Sequence, residues 1–180
     1  MSEPWVEHTL IWPTEAKFMS WVRGGIRAGL WKKHPVKLEF LRQNTKQIVN
    51  NNPRSKKTHP TVKGCVCALC GAETPFKDVE VDHLKGNHSL RSMDDLRAFI
   101  EAMIMVSFND LQVVCKTCHK IKSYAEKQGI TFAEAKAEKL AISLIKLKKD
   151  VAWLTERGIV AGSNQAHRRR QIVEVAKHET

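Results

Sequence analysis

The chain has 180 residues and a mass of 20.5 kDa, enough for one compact domain with extensions or for two small units, and too short for a large multidomain enzyme. At 42% hydrophobic and 27% charged residues the composition is that of a folding chain, which excludes collagen-like, mucin-like and wholly disordered readings. No apolar run approaches the roughly 18 residues needed to cross a bilayer, and Met1–Leu10 lacks the basic start and apolar stretch of a signal peptide, so no membrane partner and a cytoplasmic location are expected. The 30 Lys and Arg against 19 Asp and Glu leave +11, a charge that attracts polyanions. It is unevenly spread: residues 1–63 carry a net +8, residues 64–125 a net −1 and residues 126–180 a net +4. Two basic flanks around a near-neutral centre suggest flanks that grip a backbone and a centre that holds cations.

Pro13-Thr14-Glu15 is a helix start, and Phe18, Val22, Ile26 and Leu30 follow four apart on one face, with Lys17, Arg23 and Arg27 largely away from it. Gly24, Gly25 and Gly29 weaken that helix. Pro35 suits the first position of a second basic helix, Val36 to Gln47. Asn50-Asn51-Asn52-Pro53 breaks it, and the stretch holding Arg54, Lys56, Lys57 and Lys63 reads as a linker able to contact phosphates. Trp5, Trp12, Trp21 and Trp31 crowd this arm, where a small core is favoured over stacking on bases. Further on, Ser92 can cap a helix from about 93 to 106, with Leu96, Phe99, Ile100 and Met103 on one face. Thr131-Phe132-Ala133-Glu134 reads as a capping box, so a long helix is expected from about 131 to Arg157, stopping at Gly158. Ala133, Ala137, Leu140, Leu144, Leu147, Val151 and Leu154 recur at steps of four and three. That stripe suits packing within the chain or a homodimer seam over 133–154, the first being favoured. Asn164 to His178 reads as a final helix in which Arg168-Arg169-Arg170 is either a solvated face or a phosphate contact.

Cys67-Ala68-Leu69-Cys70 and Cys115-Lys116-Thr117-Cys118 are two Cys-x-x-Cys knuckles. Four thiolates at this spacing can close a tetrahedral site around Zn²⁺ with no open position, a structural staple rather than a catalyst. Cys65 is left over; on a strand it would point the same way as Cys67, and Cys67 is taken as the ligand.

Between the knuckles, Val79-Glu80-Val81-Asp82-His83 is a short strand ending in a carboxylate beside an imidazole, and His119 directly follows the second knuckle. Asp82-His83, then Leu111-Gln112-Val113-Val114-Cys115-x-x-Cys118-His119-x-x-Lys122, resembles the HNH endonuclease family over about residues 64–125. The form with two zinc knuckles is similar to bacteriophage and other bacterial members. The resemblance implies an α+β fold: a small ββα-metal core stapled by zinc, flanked by N- and C-terminal basic helical extensions. The corresponding division is a basic helical arm and linker over 1–63, the core over 64–128 and a helical extension over 129–180.

Hydrolysis of a phosphodiester needs a nucleophile made from water and a cation to neutralise the phosphoryl and leaving oxygens. His83, with an ordinary pKa of about 6.5, can take the water's proton. Asp82 and His119 offer a hard oxygen and an imidazole nitrogen to a catalytic Mg²⁺ or Mn²⁺. Neighbours on a regular strand face opposite ways, so the strand is expected to end or bulge at Asp82-His83, near Lys85-Gly86-Asn87. The family's central asparagine corresponds to Asn109, though its usual slot holds Asp110. His88 is read as an exposed loop histidine, with phosphate contact or metal ligation as the other reading. Lys122, three residues after His119, can approach the same phosphate. Candidate nucleic-acid contacts are therefore Lys122, Arg23, Arg27, Lys56, Lys57, Arg168 and Arg169. The expected partner is double-stranded DNA, and the resemblance implies 5′-phosphate and 3′-hydroxyl products in a bacterial or phage-infected cell. A homing or nicking endonuclease fits this reading. The competing readings are a zinc-stabilised nucleic-acid-binding module without catalysis and a protein acting with a phage packaging machine.

Overall fold

The computed structural model describes residues 2–86 and 89–178, so His88 lies outside the described residues. The chain has mixed α and β content, with two small antiparallel sheets among the described residues, and it divides into two compact units, Met1–Lys116 and Thr117–Thr180. No helix among the described residues is long and apolar enough to cross a membrane.

The first unit opens with a short helix, α1 (Pro4–Glu7), and then α2 (Glu15–Gly25). Thr14 caps α2, its hydroxyl accepting the Lys17 N–H at 3.3 Å. At the glycine pair the helix passes into a π-helical turn, Ile26–Trp31. Trp5, Trp12, Phe18 and Trp21 form a chain of ring contacts at 5.4–5.8 Å. Trp5, Phe18, Val22, Ile26 and Trp31 pack against buried Met19, Leu90, Phe99 and Met103, so the core reading of this arm holds for Trp5 and Trp31, while Trp21 stays exposed.

The second helix, α3 (Pro35–Gln43), starts at Pro35 but stops four residues before the expected Gln47. Asn44 donates to the Phe40 carbonyl at 2.8 Å and Thr45 to the Leu41 carbonyl at 2.7 Å, so side chains satisfy the last turn and end it. Lys46–Val49 becomes strand β1, which buries Ile48. It pairs antiparallel with β2 (Thr61–Val66), and β2 with β3 (Glu73–Pro75). The segment expected to be a linker is thus in part a built turn. Buried Asn50 donates to Ser55 Oγ and the His59 carbonyl and accepts the Asn52 N–H. Gly64 is required in β2, because a Cβ there would run into Ile48 and the Thr74 carbonyl oxygen.

The second sheet pairs β4 (Val79–His83) with β5 (Leu111–Cys115), in a regular register from Val79 opposite Cys115 to His83 opposite Leu111. Between them lies α4 (Leu96–Ile104), shorter than the expected 93–106. The Asp95 carboxylate accepts the Arg91 and Ser92 N–H groups, so Asp95, rather than Ser92, organises the entry to the helix. Phe99 and Met103 are buried as the periodicity requires.

The second unit is helical. The helix α5 (Lys116–Gln128), whose first residue closes the first unit, ends at Gly129 with φ of 66°. Thr131 and Glu134 form the expected capping box of α6 (Phe132–Lys146). The single long helix is not formed: Lys148 turns left-handed at φ 55°, and α7 (Asp150–Thr155) is separate, followed by Gly158 at φ 72° and α8 (Gln165–His178). Ala141, Leu154 and Ile172 are completely buried against Leu144, Trp153, Ile159 and Val173, which accounts for part of the apolar stripe inside the unit. Leu147 and Val151 are exposed.

Candidate metal centre and histidine pocket

Strand β2 ends at Val66, and Cys67 begins a tight turn in which the Gly71 N–H reaches the Cys67 carbonyl at 2.9 Å. Gly71 takes φ of 69°, a conformation that favours glycine, and brings the chain back so that the Cys67 N–H meets the Ala72 carbonyl at 3.0 Å. The Ala68 N–H bonds the Val113 carbonyl at 2.8 Å, which fastens this knuckle to β5. The second knuckle starts on the last residue of β5 and ends in the first turn of α5, where Cys118 is buried.

The sulfurs of Cys67, Cys70, Cys115 and Cys118 all lie within 4.8 Å of one another. A tetrahedral zinc with Zn–S of about 2.3 Å needs sulfurs about 3.8 Å apart, so spacing and donor set fit, and the cluster could hold a structural metal such as zinc. Burial raises the Cys67 thiol, but N–H groups of Cys115, Cys70 and Leu69 pointing at the sulfur outweigh it and bring the pKa from 9 down to about 7. Such donors favour the thiolate a metal needs. Cys65 is not in the cluster: it is completely buried with Val81, Leu111 and Val113, with its sulfur 3.8 Å from the Thr45 hydroxyl. The choice of Cys67 over Cys65 follows from β2 ending before Cys67.

Asp82 and His83 occupy the end of β4, and the strand stops at His83 as the sequence required. Burial alternates along it, with Val81 and His83 on the buried side and Glu80 and Asp82 half-buried. Opposite Asp82, buried Gln112 donates from Nε2 to Asp82 Oδ2 at 3.2 Å. His83 is 7% exposed, and its Nε2 lies 3.2 Å from the Met103 carbonyl at the end of α4. A carbonyl can only accept, so Nε2 carries the proton and, in the neutral ring, Nδ1 carries the lone pair. The indole of Trp31 stacks on the imidazole with centroids 4.3 Å apart and planes 29° from parallel. On the same indole, His34 approaches at 5.8 Å and donates its own Nε2–H to the Ile104 carbonyl at 2.9 Å. Two histidines thus satisfy consecutive carbonyls in the last turn of α4.

His83 lies on the wall of a cavity of about 260 Å³, together with Lys85, Glu101, Met105, Asn109 and Asp110. Asn109 is exposed on this wall. Asp110 closes the turn before β5: its carboxylate accepts the Ser107 N–H at 2.8 Å and the Ser107 hydroxyl at 2.7 Å, which hold its pKa below the usual carboxylate range. The Asp110 carbonyl accepts the Leu84 N–H at 2.8 Å, tying down the residue after His83. Asp110 therefore has a defined structural task, and Asn109 lines the same cavity.

His119 is half-buried on α5, and Lys122 on the same helix pairs with Glu126. Arg168 meets Asp150 at 2.6 Å, and Arg169 makes a two-pronged contact with Glu138. Both arginines have their charge compensated inside the second unit. Arg23 and Arg27 have no acidic partner among the described residues, and partial burial, then the neighbouring Arg23, press the pKa of Arg27 down. Lys56 and Lys57 are exposed in the turn between β1 and β2. The sequence pointed to neither Trp31 nor the Met103 carbonyl as a neighbour of His83, since nothing in local spacing links positions that distant. Comparison of the chain with protein-family models, with curated proteins and with solved structures gives no match.

Proposed function

We propose that the chain is a metal-dependent DNA endonuclease of the HNH type, hydrolysing phosphodiester bonds with His83 as general base. One observation carries the reading: His83 is a buried imidazole on a cavity wall, with its Nε2–H committed to a backbone carbonyl, which makes Nδ1 the basic atom. In this reading Nδ1 takes a proton from the attacking water as its oxygen bonds to phosphorus, and the bond from phosphorus to the 3′-oxygen breaks. The departing oxygen takes up a proton, giving the 3′-hydroxyl and 5′-phosphate ends implied by the family resemblance. Asn109 and Lys85 line the same cavity and suit hydrogen bonding and charge contact with a phosphate.

Asp82 and His119 are the residues assigned to a divalent ion, and Gln112 orients the carboxylate of the first. A hard oxygen and an imidazole suit Mg²⁺ or Mn²⁺, which when bound would neutralise charge on the phosphoryl and leaving oxygens. The four-cysteine cluster would carry a separate zinc with a purely structural task. Affinity for the duplex would come from the basic surface, Arg23, Arg27, Lys56 and Lys57 foremost.

The test compares purified wild type with His83→Ala on supercoiled plasmid, in EDTA, Mg²⁺ and Mn²⁺. Relaxation by wild type in a divalent ion, abolished by EDTA and by the substitution, is the expected result. Binding without relaxation in any metal would instead favour a zinc-stabilised nucleic-acid-binding module.

A further inference from the structure

The part of the chain that resembles the HNH core begins near residue 64, yet a residue far upstream covers the ring of the proposed base. We infer that Trp31 is a positioning residue for His83, so that the N-terminal segment belongs to the catalytic unit and is more than a grip on the nucleic acid. The inference rests on the nuclease reading for its kinetic consequence and on geometry alone for its structural one.

Strand β4, the end of α4 and Trp31 each act on the His83 imidazole. Strand β4 sets the direction of its Cβ through regular pairing with Leu111. The end of α4 takes its Nε2–H through the Met103 carbonyl. The indole of Trp31 covers a ring face at 4.3 Å, near parallel. The 3.2 Å hydrogen bond to the Met103 carbonyl fixes the position of Nε2, and the flat aromatic surface of Trp31 restrains the ring plane itself. Trp31 is itself well anchored, because it packs against two buried clusters of the first unit, that of Met103 and Phe99 and that of Val81 and Leu111. Lys37 places its ammonium 5.0 Å from the indole centroid, a further contact holding it. A general base works only if its lone pair meets the water at hydrogen-bond distance and angle, and a displacement of about 1 Å can lower a rate about 100-fold. An aliphatic side chain at position 31 could fill the space without defining a plane.

The experiment uses the full chain, zinc-loaded and labelled with ¹⁵N at histidine, with the His83 signals assigned by their loss in His83→Gln. Long-range ¹H–¹⁵N spectra report the tautomer at fixed pH, and single-turnover cleavage of a labelled duplex reports the rate. Wild type is expected to show His83 as one Nε2–H tautomer. Trp31→Phe, which keeps an aromatic plane, should retain that pattern and a rate within about threefold of wild type. Trp31→Leu should show mixed tautomers and a rate lower by roughly 10- to 100-fold, with unchanged DNA affinity. A single Nε2–H tautomer together with a wild-type rate in Trp31→Leu overturns the inference, as does a Trp31→Phe variant as impaired as Trp31→Leu. If wild type itself cleaves nothing, the nuclease reading fails, and the tautomer pattern alone decides whether Trp31 holds the ring.

Discussion

The backbone N–H of Cys115 points at the sulfur of Cys67, 3.3 Å away, so the last residue of β5 supports the first residue of the other knuckle before any metal is considered. Cys65, two residues earlier, lies completely buried in an apolar cluster. The two neighbouring cysteines should therefore respond differently to mutation. Cys67→Ser and Cys115→Ser are expected to lose bound zinc and much of the folded population, since metal-binding energy is folding energy in such sites. Cys65→Ala should keep one zinc per chain and lose roughly 1 kcal/mol from a small cavity. Metal analysis by mass spectrometry beside thermal unfolding checks both, and zinc loss in Cys65→Ala would displace Cys67 from the ligand set.

The basic residues also divide into two kinds. Arg23 and Arg27 have no acidic partner among the described residues, whereas Arg168 and Arg169 are paired with Asp150 and Glu138. Replacing Arg23 and Arg27 together by Ala should reduce the slope of log affinity for duplex DNA against log salt by roughly 1.8, at about 0.9 per phosphate contact. Replacing Arg168 and Arg169 should move that slope much less and should lower the melting temperature. Equal slope changes from the two pairs would mean that the ion pairs open on binding.

Asp150 sits at the start of α7 with its carboxylate 5% exposed as a residue and 2.6 Å from Arg168 Nε. The Arg168 hydrogen bond outweighs burial and holds its pKa below the ordinary 3.8. A carboxyl lowered in the folded state stabilises fully above its unfolded pKa, and this contribution is lost as pH falls through the lower folded value. Arg168→Ala should therefore cost roughly 2–4 kcal/mol near neutrality, and the difference between variant and wild type should shrink as pH falls below about 4, measured by chemical denaturation. A difference independent of pH would assign the loss to packing instead.

Lys148 adopts φ of 55° between α6 and α7, a conformation costly for any residue with a Cβ. Lys148→Gly should stabilise the chain by roughly 1 kcal/mol, while Lys148→Ala should give no gain. Destabilisation by Gly, read from the same denaturation curves, would favour the continuous helix of the sequence reading.

What could be read in the sequence was what local chemistry dictates. The two Cys-x-x-Cys turns, the helix start at Pro13-Thr14-Glu15, the Pro35 start and the Thr131–Glu134 capping box each need only residues within a few positions of one another, and each is present. Strand β1 was hidden because its four residues follow α3 directly, and it is their pairing with β2, not their own periodicity, that makes them a strand. The break at Lys148 has no Gly or Pro to mark it; packing of α6 and α7 separately against α8 imposes it over a helix-favouring sequence. At the candidate site, Asp82-His83 was visible as a dipeptide, and the end of β4 there was anticipated. The indole over His83 and the carbonyl beneath its Nε2 come from segments that only the tertiary fold brings together.

Single-turnover cleavage of an end-labelled duplex in Mn²⁺ tests whether His83, Asp82 and His119 act together on a phosphodiester, with wild type, His83→Ala, Asp82→Asn and His119→Ala measured beside their zinc content and DNA affinity. Each substitution should lower the rate by about 100-fold or more while one zinc per chain is retained. Wild-type cleavage persisting in His83→Ala, or wild-type cleavage surviving EDTA, would rule out a metal-dependent nuclease with His83 as its base.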